Sequence, residues 1–299
     1  MTYPLIDAHL HLFDLVQGDY HWLKEENTPF WPNKNIICQN FNEQHLTVNP
    51  PFELGGFIHI EAGFDNKKPW REIAWLESHC QLPFKSVAAI DLTLNKNDFI
   101  KQVDQLLHYQ SVVGCRHILD EQAEEILQSE DIQYNLNYLA TKRLSFDLQM
   151  AIADKTSLNL LVGLLTDIPT LTVIIDHAGW PPALPESKNS GDNKSKEATW
   201  RNWQAAINTL SQFEQCAIKC SGWEIIDKNY TIDFLEKVIG NCMDTFGDKR
   251  VMLASNFPLT LFNQSYNSLW QTYSSLNVTS DQLMALTSAN AAYWYRLTF

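Results

Sequence analysis

The chain has 299 residues, 45% apolar and 19% charged, enough for one large core and too short for two comfortable ones, so a single domain over residues 1–299 is expected. Its formal net charge of −13, with no basic block, argues against nucleic acid and anionic membrane as partners. No stretch approaches the roughly 18 uninterrupted apolar residues of a membrane span, the first residues do not read as a signal peptide, and the six scattered cysteines form no C-x-x-C pair, so a cytoplasmic protein with reduced thiols is expected.

In chain order, short apolar or β-branched runs alternate with helical periodicity. The runs are Leu5 to His9, Gly56 to Glu61, Ser86 to Leu92, Val112 to Leu119, Leu144 to Met150, Leu171 to Asp176, Cys216 to Ser221 and Arg250 to Ser255. Helices are expected over Pro69 to Cys80, around Phe99, Val103 and Leu106, and over Glu121 to Lys142, Thr156 to Leu165, Ala198 to Phe213 and Ile232 to Phe246. Thr279 and Gln282 have the spacing of a capping box for a last helix. Eight strand-then-helix steps predict an α/β fold, a single distorted (β/α)8 TIM-type barrel. The rival, a doubly wound open sheet with a nucleotide site, lacks both the G-x-G-x-x-G fingerprint and a Walker loop.

Two segments interrupt the rhythm. The aromatic-rich connection from Leu10 to Leu54, containing Phe13, Tyr20, Trp22, Phe30 and Trp31, follows the first strand, and the polar stretch Pro181 to Thr199 follows the sixth. Loops after strands sit on the catalytic face of such a barrel, so both are candidate lids.

The strand ends collect ionisable groups. Asp7, His9 and His11 alternate along the first strand, which would place them on one side, with the carboxylate fixing a tautomer of an imidazole pair that chelates a cation or cradles a carbonyl. His59 and Glu61 end the second run, Arg116 and His117 lie in the fourth, Asp147 in the fifth, Asp176 and His177 end the sixth, Lys219 and Ser221 lie in the seventh, and Asn256 follows the eighth. Ionisable residues are costly to bury unpaired, so their recurrence at one end of successive strands marks a site.

Ile-Asp-Ala-His-Leu-His at 6 to 11, Val-Gly-Cys-Arg-His at 113 to 117, Ile-Ile-Asp-His-Ala-Gly at 174 to 179, Ile-Lys-Cys-Ser-Gly at 218 to 222 and Ala-Ser-Asn-Phe-Pro at 254 to 258 resemble the amidohydrolase-related family. The likeness is to its sugar-lactone and 2-pyrone-4,6-dicarboxylate lactonase branch, and the segment from Ser288 to Tyr295 resembles that family's final helix. The resemblance implies a distorted (β/α)8 barrel and hydrolysis of a small carboxylated or sugar-derived lactone. Asn256 departs from the pattern, because the family usually ends its eighth strand in aspartate, a metal ligand or water-activating base, whereas an amide has no basic lone pair near neutral pH and is a poor metal ligand beside a carboxylate.

His9, His11, His177 and Asn256 are thus the expected catalytic set, with Arg116, His59, His117, Asp147, Lys219 and Trp22 expected to bind substrate. The histidines would polarise the lactone carbonyl and stabilise its oxyanion, Arg116 would fork onto a carboxylate, and Asn256 would position water. The base is open between His177, His11 and Glu61. Either no cofactor is required or one divalent metal, zinc being the best suited, sits on His9, His11 and His177. The partner expected is a small-molecule lactone or sugar acid, with a homodimer left open. The alternatives are a lyase, decarboxylase or lactone isomerase on the same scaffold, and a catalytically impaired ligand-binding barrel.

Overall fold

The computed structural model describes residues 2–183 and 193–298. Each of the eight runs forms a strand: β1 Tyr3–Leu10, β2 Phe52–Ile60, β3 Phe84–Ala89, β4 Val112–Ile118, β5 Ser145–Gln149, β6 Val173–Ile175, β7 Cys216–Cys220 and β8 Val251–Leu253. They pair in parallel in chain order as one eight-stranded sheet. The chain beyond β8 closes the circle onto β1, with Asn256 N donating to His9 O at 2.9 Å and His11 N to Phe257 O at 2.7 Å. This is the (β/α)8 barrel.

Period-two alternation decides what faces inward. Ile6, Ala8, Ile58, Ile60, Val87, Ile174, Ala217, Met252 and Ala254 form one buried cluster inside the barrel, joined by Tyr295 from the end of the chain. The alternate positions, such as Leu5, Phe57, Phe146, Leu148, Ile218 and Leu253, join the outer layer beneath the helices. The alternation of β1 breaks between Asp7 and Leu10, where its register against β2 shifts. Asp7 therefore does not share a side with His9. It lies between the inward Ile6 and Ala8 and accepts from Ser255, backbone N–H at 3.0 Å and hydroxyl at 2.5 Å.

The helices form where periodicity and caps coincide. Lys96–Leu106 is capped by the Asn95 side chain, which accepts from Asn97 N and Asp98 N, and buries Phe99, Val103 and Leu106. Thr279 and Gln282 make both bonds of a capping box, at 3.0 and 3.2 Å. The single helix expected over Glu121 to Lys142 is instead a 3-10 turn at Asp120–Gln122 followed by helices Ala123–Leu127 and Ile132–Thr141. The break falls at Ser129 to Asp131, where Ser129 and Asp131 have side chains that compete with helical backbone bonding. A helix not expected from the sequence, Tyr266–Ser274, buries Tyr266, Leu269, Trp270 and Tyr273 behind β8.

Of the two candidate lids, the segment after β1 carries three 3-10 turns and anchors its Tyr20 and Phe13 in the core. The second falls partly outside the described residues, at 184–192, and from Asn193 onwards it is helical, since Asn193–Ser211 forms a helix starting before the expected Ala198.

Candidate active site

A cavity of about 680 Å³ opens at the carboxyl ends of the strands. His11, Glu61, Arg116, Gln149, His177 and Asn256 form its floor, and Trp22, Pro29, Trp31, Asp120, Glu121 and Trp180 its sides. Beneath the floor, all fully buried, lie His9, Asp147, Asp176 and Lys219.

The three expected histidines are neighbours. The His9 ring lies 5.0 Å from that of His11 and 4.7 Å from that of His177, centroid to centroid. Each is oriented through Nδ1: His11 donates to Ile60 O at 2.8 Å, His9 faces Asp176 Oδ1 at 3.3 Å and His177 faces Ser221 Oγ at 3.0 Å. A ring whose Nδ1 donates carries a bare lone pair on Nε2. Nε2 of His9 is buried without a hydrogen-bond partner. The carboxylate that fixes the His9 tautomer is thus Asp176, not the Asp7 suggested by sequence spacing.

Burial keeps these rings neutral. It drives His9 and His11 well below the ordinary histidine range, against Asp176 for His9 and with the added repulsion of Arg116 and His59 for His11. His177 is lowered by burial to about 3. Asp176 goes the other way: burial would raise it, yet Lys219, His9 and Arg116 hold it well below the usual carboxylate range. Lys219 Nζ lies 2.9 Å from Asp176 and 2.5 Å from Asp147, which also accepts from the Tyr295 hydroxyl at 2.5 Å and the Ser145 hydroxyl at 3.2 Å. Two expected substrate contacts, Asp147 and Lys219, thus form a charge network beneath the floor rather than part of the cavity wall.

His177 owes its placement to the backbone. His177, Ala178, Gly179 and Trp180 are all left-handed, with φ of 53°, 52°, 66° and 59°. Three of the four are not glycine, and such a run persists only where surroundings enforce it. It lays the Trp180 ring 4.7 Å from His177 at 31°. Asn256 is also left-handed, φ 55°, a conformation asparagine tolerates better than most side chains.

Arg116 is matched on every guanidinium nitrogen. Nε and Nη2 meet Glu61 Oε1 at 2.8 Å, Nη2 also donates to Glu61 O at 2.9 Å, and Nη1 donates to Gln149 Oε1 at 3.0 Å and Asp176 Oδ2 at 3.4 Å. A fork so engaged braces Glu61 and leaves no nitrogen idle for a substrate carboxylate.

Two other expected contacts stand apart from the cavity. His59, flanked by the inward Ile58 and Ile60, turns to the helix Trp70–His79, its Nε2 3.0 Å from Glu72 Oε1. His117, next to the inward Arg116, accepts from Leu92 N at 3.0 Å. Trp22 does line the cavity, its indole N–H held by Ala62 O at 2.7 Å.

Sequence reasoning assigned no role to Glu224. It follows β7 on the short helix Trp223–Ile226, and its Oε1 accepts from Asn256 Nδ2 at 2.6 Å. Its Oε2 is buried without a partner, and burial raises its carboxyl to about 7. Nothing local in the sequence signals this pairing across 32 positions.

For a metal, His9, Asp176 and His177 each offer one ligand atom, all within 4.8 Å of one another. Neutral imidazoles with free lone pairs and a carboxylate match the donor preference of zinc, and the orphaned His9 Nε2 is what such an ion would satisfy.

A family model described as Amidohydrolase matches residues 6–297. An uncharacterized protein of Sinorhizobium fredii is 26% identical over 98% of both chains. An L-fucono-1,5-lactonase of Burkholderia multivorans is 26% identical over 134 residues, 42% of this chain and 43% of that one. Among solved structures, an amidohydrolase of Burkholderia multivorans, crystallised once with HEPES and once with zinc, superposes with TM-score 0.75 at 18% identity, covering 98% of this chain and 99% of the other. A probable 2-pyrone-4,6-dicarboxylic acid hydrolase of Acinetobacter baumannii with citric acid bound gives 0.67 at 14%, covering 98% and 99%. A 2,6-dihydroxybenzoate decarboxylase of Rhizobium gives 0.58 at 13%, covering 99% of each chain.

Proposed function

Since the chain belongs to the amidohydrolase family, we propose that it is a hydrolase that opens the ring of an uncharged, sugar-derived lactone. The observation that carries the choice of an uncharged substrate is Arg116. It is the sole cation among the described residues lining the cavity, and Glu61, Gln149 and Asp176 occupy all its nitrogens, while Asp120 and Glu121 add negative charge to the wall. A dicarboxylate or a benzoate would meet acidic side chains and no idle cation. Trp22, Trp31 and Trp180 suit the apolar C–H face of a sugar ring.

In this reading a water molecule donates one hydrogen bond to Asn256 Oδ1 and attacks the lactone carbonyl carbon. Its proton passes to Glu61, whose carboxyl burial holds above the ordinary glutamate value. The bond from carbonyl carbon to ring oxygen then breaks, the ring oxygen takes that proton back from Glu61, and a hydroxy acid leaves. His9 and His177, with Asp176 as the third donor in place of the expected His11, would hold one zinc ion, which when bound supplies Lewis-acid polarisation of the carbonyl. The neutral histidines act through their Nε2 lone pairs. His11, whose single N–H is spent on Ile60 O, presents no donor to an oxyanion.

The test is turnover of a panel containing neutral hexono- and pentonolactones, 2-pyrone-4,6-dicarboxylate and 2,6-dihydroxybenzoate, with zinc added or removed, in ¹⁸O water. Opening of neutral lactones with one solvent oxygen incorporated is expected. Release of carbon dioxide, or turnover confined to the carboxylated compounds, would overturn the proposal.

A further inference from the structure

Asn256 replaces a base with an amide, and what an amide offers depends on which end faces the substrate. Its environment decides that. Glu224 Oε1 lies 2.6 Å from the Nδ2 side, and both side chains are about 2% exposed. Oε1 accepts from Nδ2 when the Glu224 carboxyl is ionised, and equally when it is neutral with its proton on Oε2, and in both states the amide nitrogen turns towards it. The other end of the amide, Oδ1, is left for the cavity that Asn256 lines. Asn256 itself is pinned, its backbone left-handed and its N–H bonded to His9 O at 2.9 Å. The unpartnered Oε2 shows that Glu224 is not held by a bond of its own on the far side, so burial of this carboxyl is not explained by a structural network.

We infer that Glu224 is a positioning residue for the hydrolytic site: it locks the Asn256 amide with Oδ1 towards the cavity, making Asn256 an acceptor for the attacking water. The inference rests on the lactone-opening reading above. Glu224 acts only through Asn256 and contacts no reacting atom.

The experiment is a double-mutant cycle on whichever lactone the wild-type protein opens, with folding of each variant checked by circular dichroism. Glu224→Ala leaves Nδ2 without its acceptor, and kcat is expected to fall roughly tenfold or more with KM changed by less than about threefold. Asn256→Ala is expected to lose at least as much, and adding Glu224→Ala to it should change kcat by less than about twofold, because the second residue works through the first. Glu224→Gln keeps an acceptor at Oε1 and is expected to recover most of the loss seen with alanine. Additive losses in the double variant, an unchanged kcat in a folded Glu224→Ala protein, or a glutamine variant as impaired as alanine would each overturn the positioning role. Should Glu224→Ala not fold, Glu224→Leu, which removes the acceptor while filling most of its volume, takes its place in the cycle with the same expected and overturning outcomes. A wild-type protein that opens no lactone refutes the functional reading instead, so the two failures are distinct.

Discussion

His9 Nδ1 faces Asp176 Oδ1 at 3.3 Å, while its other ring nitrogen, Nε2, is buried with no hydrogen-bond partner. A carboxylate that fixes one nitrogen and leaves the other as a bare lone pair is how proteins prepare a histidine to ligate a metal. Zinc is therefore expected to bind the metal-free protein with one equivalent per chain. Asp176→Asn, which swaps the carboxylate for an amide, should weaken zinc roughly 10- to 100-fold, and His9→Ala should weaken it more. Isothermal titration calorimetry measures both. Equal affinity in wild type and His9→Ala would show that His9 is not a ligand, and equal affinity in wild type and Asp176→Asn that the carboxylate does not matter to the site.

A second relationship concerns glycine. Gly222 caps the helix that carries Glu224 with φ +73°, and a Cβ there would lie 2.6 Å from His177 Nδ1 and 2.9 Å from its Cγ. Gly247 has the same φ, +73°, with nothing within 4 Å of the added carbon. Gly247→Ala is thus expected to lose about 1 kcal/mol from backbone strain alone and to keep its activity. Gly222→Ala adds a collision with His177 and should lose more stability together with most of its activity. Urea unfolding and initial rates on the two variants make the comparison. Equal behaviour of the pair would mean that His177 is free to move aside.

The sequence told the fold well because apolar runs bounded by polar ends are a direct record of buried parallel strands. It told the site less well, for reasons that particular residues make plain. His59 and His117 look like strand-end ligands, yet alternation with Ile58, Ile60 and Arg116 turns both outward. Asp7 was misplaced by the shift in β1, which leaves no trace in residue order. Asp176 sits beside His177 in the chain, so its nearness was legible while its role as the partner of His9 was not. Glu224 lies on the short helix after β7, outside every motif, and only the fold brings it to Asn256.

Glu224 also makes a prediction about pH and stability. Burial raises its carboxyl from the ordinary 4.5 to about 7, opposed only by hydrogen bonds to its own backbone and to Asn256, and the other titratable groups near it, Tyr230 and Tyr273, stay neutral across this range because burial raises them too. The native state therefore holds a proton between pH 4.5 and 7 that the unfolded chain releases. The stability contributed by the neutral acid is complete below pH 4.5 and is lost as pH rises through about 7, beyond which both states are ionised and the difference is constant. Glutamine cannot ionise, so Glu224→Gln should match the wild type near pH 4 and exceed it by about 3 kcal/mol at pH 8. Asp7, raised by burial to about 6, imposes a similar slope on both proteins and cancels in the difference. Urea unfolding at intervals across this range gives the curve directly. A difference between the two proteins that does not change with pH would mean that the Glu224 carboxyl is ionised in the folded state throughout.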